Sequence, residues 1–361
     1  MSPTVYLHIG APKTGTTYLQ DRLSRNASSL AGHDIHFPSR SPLVSPALFH
    51  FRGALDLLGQ DWGGAPGHAD GSWDALVKRV RRKSGTVVIS HEILSPAGPE
   101  HVARAMEDLG PDVHVVYTAR DLGRQVPAAW QESIKQGRRW RYAAFVRRME
   151  RGKTWFSRAF DLPSVLGTWG AHVPPEHVHL VTLPQPESSR PGDDLWQRFC
   201  RVVGIDPAWA PDESTRVNQS LGVTEAAVLR RLNKKLDRMA RRETAYDGLV
   251  RSMLAEDVLA RGSTTRITLP PAAYDWVDAT TSTWLEWIQQ SGIDVVGDVE
   301  DLRPALPDTK WRDPDQVSAR KRSRVALNAL AAMTVEAAKR PEPGGSLRGR
   351  LRQGADRLTP W

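Results

Sequence analysis

Only one cysteine, Cys200, occurs in 361 residues. An internal disulfide is therefore excluded, and a thiolate metal cluster has no second ligand. No run of about 18 apolar residues exists, so no segment reads as a transmembrane helix. The first apolar run begins at Val5. That leaves no room for a signal peptide, and a cytoplasmic protein is the expectation. The 11 histidines show neither H-x-x-x-H nor H-E-x-x-H spacing, so no metal is expected. There is no G-x-S-x-G nucleophile elbow either.

The net charge of +8 is concentrated late in the chain. From Thr309 onward 12 Lys/Arg face 5 Asp/Glu, while the preceding 308 residues carry 37 against 36. A nearly neutral body does not suit a general nucleic-acid-binding surface. The basic excess belongs to a charged helix at Gln316–Lys339 and a Pro/Gly/Arg-rich end. Pro341 to Gly354 reads as disordered. This tail, residues 309–361, is expected either to be solvated or to rest on an acidic or membrane surface.

Short apolar runs alternate with helical periodicity over the first half. Strands are expected at 5–10, 34–37, 86–90, 113–118 and 178–182, with helices at 16–31, 46–58, 73–82, 99–109, 123–136 and 142–150. Residues 38–71, rich in Gly, Pro, Ser and His, read as a partly irregular insertion. Strands alternating with helices imply a parallel α/β sheet. Residues 192–308 read as mostly helical, with segments at 194–203, 223–239, 246–259 and 273–291, then a short strand at 293–296. The expected organisation is one α/β domain over 1–308 followed by the tail.

The strongest signal is Val5-Tyr6-Leu7-His8-Ile9-Gly10-Ala11-Pro12-Lys13-Thr14-Gly15-Thr16-Thr17. It reads as a strand, a Gly-containing loop and a helix start, the arrangement that holds a phosphate. Gly10 and Gly15 permit backbone turns in which N–H groups converge on an anion. Lys13 adds a full charge, and Thr14, Thr16 and Thr17 add hydroxyl donors. The pattern is not Walker A, which places Lys directly after the second Gly; here Lys13 precedes Gly15 by two residues.

Three further constellations matter. Arg120-Asp121 follows the apolar run Val113–Thr118, where a guanidinium fork suits a phosphate. The same pair would also serve simply to start a helix. His91 and Glu92 follow the run Val87–Ile89, and either side chain can accept a proton. Neighbours on a strand point to opposite faces, so one of the two faces a ligand. Arg216 and Asn218 precede a helix start at Val223, where ordinary caps are equally expected. His8 is expected to be packed within its strand, and His50, in the insertion, to be exposed.

The loop resembles the 5′-phosphosulfate loop of sulfotransferases that use 3′-phosphoadenylyl sulfate (PAPS). The match is to a bacterial branch beginning His-Ile-Gly-x-x-Lys-Thr-Gly-Thr-Thr-x-Leu-Gln. The late segment Asp294-Val295-Val296-Gly297-Asp298 is similar to that branch as well. The resemblance implies a P-loop-like, three-layer α/β domain with a mainly parallel sheet flanked by helices. It implies PAPS as co-substrate, with no metal, bound by residues Pro12 to Thr17. Lys13 would act catalytically and Arg120 would hold the 3′-phosphate. It implies Glu92, or His91, as the base that deprotonates an acceptor hydroxyl. The family commonly has Ser eight residues after the Arg; that position is Ala128 here, and Ser133 is the next hydroxyl along. Arg216 and Asn218 would return to the 3′-phosphate. The acceptor would be a carbohydrate, lipid or natural product. A P-loop kinase using ATP and a non-catalytic nucleotide- or polyanion-binding protein are the alternatives, and the oligomeric state is open.

Overall fold

Six parallel strands form one sheet in the order β2-β3-β1-β4-β5-β6 in the computed structural model, which describes residues 2–41, 43–186, 190–216, 220–237, 246–262 and 265–339. The strands are β1 Thr4–Gly10, β2 Ile35–His36, β3 Thr86–Ser90, β4 Val113–Ala119, β5 Val178–Thr182 and β6 Asp294–Val296. β1 lies at the centre, with Leu7 in register with Ile89 on one side and Val115 on the other. Such strands are covered on both faces, which explains their near-continuous Val/Ile/Leu content. Val87, Val88, Val115, Val116, Leu180 and Val181 are all fully buried.

One face packs on the first helix, Thr16–Arg25, and on helix Leu195–Val203. Leu19, Leu23, Trp196 and Phe199 meet Val88, Val116 and Val181 there. On the opposite face, Tyr117 of β4 donates its hydroxyl to the Ala159 carbonyl at 3.0 Å. The chain is thus a three-layer α/β structure with the expected parallel sheet.

Two short helices, Trp155–Phe160 and Leu162–Gly170, were not apparent from periodicity. Each is announced only by its cap, Thr154 in a capping box with Ser157 and Asp161 accepting from Ser164 N–H. The expected helix at 16–31 breaks at Asn26. The Asn26 side chain exchanges hydrogen bonds with the Asp212 backbone at 2.8 and 2.9 Å, which ends the first helix and starts Ala27–Ala31. Asp247–Leu259 is π-helical rather than α-helical. Pro341–Gly354 and Met239 lie outside the described residues. No helix among the described residues is long and apolar enough to cross a membrane.

The chain divides into two compact units, one of Met1–Ser133, Trp140–Asn218 and Ile267–Asp313, the other of Ile134–Arg139, Gln219–Arg266 and Pro314–Trp361. The first contains the sheet. In the second, the basic helix Ala319–Lys339 joins helix Val223–Lys235, and Arg230 pairs with Asp315 at 3.3 Å. Asn233 knits this unit together, donating to the Ile134 and Arg138 carbonyls and accepting from the Tyr246 hydroxyl.

At the carboxyl end of β5, Arg198 donates to the Thr182 carbonyl and hydroxyl and pairs with Asp301 at 2.5 Å. Both partners are 4% exposed. Burial opposes the Asp301 charge, but hydrogen bonds from Arg198, Thr182 and Gln185 outweigh it and hold the carboxyl below its ordinary range. Gly297 belongs to this knot: at φ 115° a Cβ would lie 2.2 Å from Thr182 Oγ1. That close approach gives the late Asp294–Asp298 segment a packing role. Asp301→Asn should lower stability by about 3 kcal/mol, because Arg198 stays charged and buried with one counterion fewer, leaving only Asp193 at 2.5 Å. Urea unfolding reads this directly; a loss under about 1 kcal/mol would show that Asp193 compensates.

Candidate anion-binding site

The carboxyl ends of β1, β3 and β4 converge beside the loop that follows β1. Open parallel sheets bind ligands in this crevice. Lys13 adopts φ 68°, a left-handed conformation rare for a residue with a Cβ, and Gly15 follows at φ 94°. Backbone strain of this kind persists where surrounding structure enforces it, typically at ligand-binding loops. Gly15 caps the first helix without a side-chain hydrogen bond. The amino-terminal N–H groups and the positive end of the dipole therefore open onto the loop.

The loop is anchored from below by an ordered chain of hydrogen bonds. The Thr14 hydroxyl donates to the Ala11 carbonyl at 2.5 Å, so its oxygen accepts from the Thr118 hydroxyl at 2.5 Å. Thr118 in turn accepts from His8 Nε2 at 3.2 Å, and His8 Nδ1 accepts from the Ser90 hydroxyl at 2.8 Å. Gln20 of the first helix donates to the Ser90 hydroxyl and carbonyl. Each hydroxyl donates once and accepts once, which fixes one direction for the chain and requires a neutral His8. Burial pushes His8 down to about 3.

His50 is buried rather than exposed. Its Nδ1 accepts from Ser90 N–H at 3.2 Å, so its Nε2 donates to the Pro38 carbonyl at 2.9 Å. Burial lowers it to about 3 as well. No local pattern signals this burial, because the apolar pocket is built by the insertion folding onto β3. Between pH 6.5 and 3 the unfolded chain binds protons that these two histidines refuse in the fold. Stability therefore rises with pH across that window. Acidifying from pH 7 to 5 should cost about 2 kcal/mol for each histidine, read as a lower urea midpoint. An unchanged midpoint would mean that both titrate normally.

The charged groups lie above this base. Lys13 Nζ donates to Glu132 Oε2 at 2.5 Å. Arg120, at the end of β4, reaches the Lys13 carbonyl with Nη1 at 3.4 Å. Gln125 holds the Pro12 carbonyl at 2.8 Å. Asp121 accepts from Arg124 N–H and pairs with the Arg124 guanidinium, so its carboxylate is committed to the helix start.

The 3₁₀ turn Glu92–Leu94 and its N-cap His91 bring the two candidate bases beside the end of β1. A Cβ on Gly10 would lie 3.0 Å from Glu92 Cβ and 2.9 Å from Ser95 Oγ, so only Gly allows this approach. Gly10→Ala should therefore destabilise the loop, visible as a lower melting temperature; an unchanged melting temperature would contradict the close packing. His91 Nδ1 accepts from Ile93 N–H at 3.2 Å, which leaves Nε2 carrying the proton. Burial lowers the His91 pKa. Its one lone pair at neutral pH is thus already engaged, and Glu92 is the group with a carboxylate to offer.

Lys13, Gly15, Thr16, Glu92 and Arg120 all lie about this crevice. The Thr14 side chain is fully buried and bonded to Ala11 and Thr118, so its hydroxyl is not a donor toward the crevice as the sequence suggested. Thr16 is buried and reaches the Ala11 carbonyl at 3.4 Å, and Thr17 is exposed. Ser133 is buried, and its hydroxyl donates back to the Ala129 carbonyl at 3.2 Å. Arg216 is exposed, 3.8 Å from Asp21 on the first helix. Asn218 lies outside the described residues. Glu132 and Thr118 escaped sequence reasoning. Thr118 ends an apolar run, a signal available in principle; Glu132 carries no such mark.

No protein-family model and no curated protein matches the chain. Among solved structures it is similar to the crystal structure of a sulfotransferase from Alicyclobacillus acidocaldarius, at 14% identity and a TM-score of 0.39. That match covers 68% of this chain and 99% of the other. A likeness so distant carries no weight for function.

Proposed function

We propose that the chain is a sulfotransferase that moves a sulfuryl group from PAPS to an acceptor hydroxyl. The observation that carries this reading is the loop itself. A strained Lys13 and an uncapped helix start at Gly15 sit under Arg120, a donor set suited to a multiply charged phosphosulfate. Backbone N–H groups of residues 13–17 would hold the 5′-phosphosulfate. Arg120 would engage the 3′-phosphate and so select against ATP.

Glu92 would take the acceptor's proton as the acceptor oxygen bonds to sulfur. The bond between sulfur and the bridging phosphate oxygen breaks, and that oxygen keeps the electron pair. Lys13 would neutralise the charge growing there. Catalysis of this kind rests on positioning and charge stabilisation, as in phosphoryl transfer.

The commitment of Asp121 to Arg124 disfavours the kinase alternative, which needs a carboxylate for Mg²⁺. The test is release of 3′,5′-adenosine bisphosphate from PAPS across a panel of phenols, sugars and lipid alcohols. Acceptor-dependent release supports the proposal. Phosphate transfer from ATP with a strict Mg²⁺ requirement would replace it.

A further inference from the structure

A second cluster lies at the other end of the sheet, toward the amino ends of β4, β5 and β6. Asp112 immediately precedes β4, His114 lies within it, His177 immediately precedes β5, and His179 is within β5. Asp112, His114 and His177 each offer one ligand atom, all within 4.8 Å of one another. No local spacing marks these ligands, because they come from two distant segments that the β4–β5 pairing unites.

The hydrogen bonds around the cluster set the tautomers. His179 Nδ1 donates to Asp294 Oδ2 at 2.7 Å, so its Nε2 accepts. His114 Nδ1 donates to that Nε2 at 2.8 Å, which leaves a lone pair on His114 Nε2. The latter atom lies 3.7 Å from Asp112 Oδ1, itself only an acceptor. His177 Nδ1 donates to the Val113 carbonyl at 3.3 Å, which leaves its lone pair on Nε2. Two imidazole lone pairs and a carboxylate thus gather with no proton assigned between them. The Asp294–His179–His114 relay is the outer-shell arrangement that orients metal-binding histidines.

We propose that Asp112, His114 and His177 form a binding site for a divalent cation of the zinc class. Two imidazoles and one carboxylate suit that class, with a fourth position left to water. The site is half-exposed, which gives the cation a route in. The His114 and His177 rings stack at 3.9 Å with planes 16° apart. For both imidazoles to reach one cation, the half-exposed His177 ring, at the end of a 3₁₀ turn, must swing out of that stack and give up its long contact to the Val113 carbonyl. By strand rise the site lies roughly 20 Å from Arg120 along β4. Its role is to tie β4 to β5, separate from the anion-binding loop.

The test is titration of the full chain with Zn²⁺ against a chromogenic chelator, with Co²⁺ absorption as a second readout and the melting temperature as a third. One equivalent should bind, with a tetrahedral Co²⁺ spectrum and a raised melting temperature. His177→Ala and Asp112→Asn should each weaken binding at least tenfold, and Asp294→Asn by about tenfold through the relay. Asp112→Asn is nearly isosteric and keeps an acceptor for the Thr4 hydroxyl, so it serves if His177→Ala fails to fold. No saturable binding by the unaltered chain, or binding indifferent to both ligand variants, would overturn the site.

Discussion

Lys13→Ala should lower turnover by at least about a hundredfold, the scale of losing one electrostatic catalyst. Two effects act together. On the proposed reading the charge that balances the leaving oxygen would be lost, and the Glu132 carboxylate, 9% exposed, would lose the Lys13 ammonium beside it. A carboxylate facing an incoming phosphosulfate repels it. The double variant Lys13→Ala with Glu132→Gln should therefore recover nucleotide binding more than turnover. Near-normal turnover in the single variant would remove Lys13 from the mechanism. Equal recovery of both quantities would reduce Lys13 to a ground-state binding role.

Glu92→Gln should cost turnover on the order of a hundredfold or more while leaving nucleotide binding nearly intact. The neighbouring His91 spends its Nδ1 lone pair on Ile93 N–H, and burial opposes its charging. His91→Asn should accordingly cost less than Glu92→Gln. The opposite ranking, measured at saturating co-substrate, would transfer the role of base to His91.

Much of the fold was legible in the residues. Parallel strands announced themselves as short Val/Ile-rich runs because both their faces are covered. Gly10 and Gly15 marked the loop because no other residue fits at φ 104° and 94° beside Glu92 and Leu195. Lys13 stood out as a charge crowded with three threonines into one short Gly-containing loop. What stayed hidden depends on contacts distant in sequence. The Thr14–Thr118–His8–Ser90 chain joins three strands and a loop, and Thr118, His8 and Ser90 look like ordinary strand residues. Glu132 meets Lys13 across 119 positions. The Asp112–His114–His177 group has no local spacing to betray it. Helices 155–160 and 162–170 were too short for a period to emerge, so only their caps could have revealed them.

The most direct measurement is calorimetric binding of 3′,5′-adenosine bisphosphate beside ATP, to the unaltered chain, Lys13→Ala and Arg120→Ala. Micromolar binding that discriminates against ATP and collapses in both variants is the expected result. Equal or tighter binding of ATP would contradict the sulfotransferase reading.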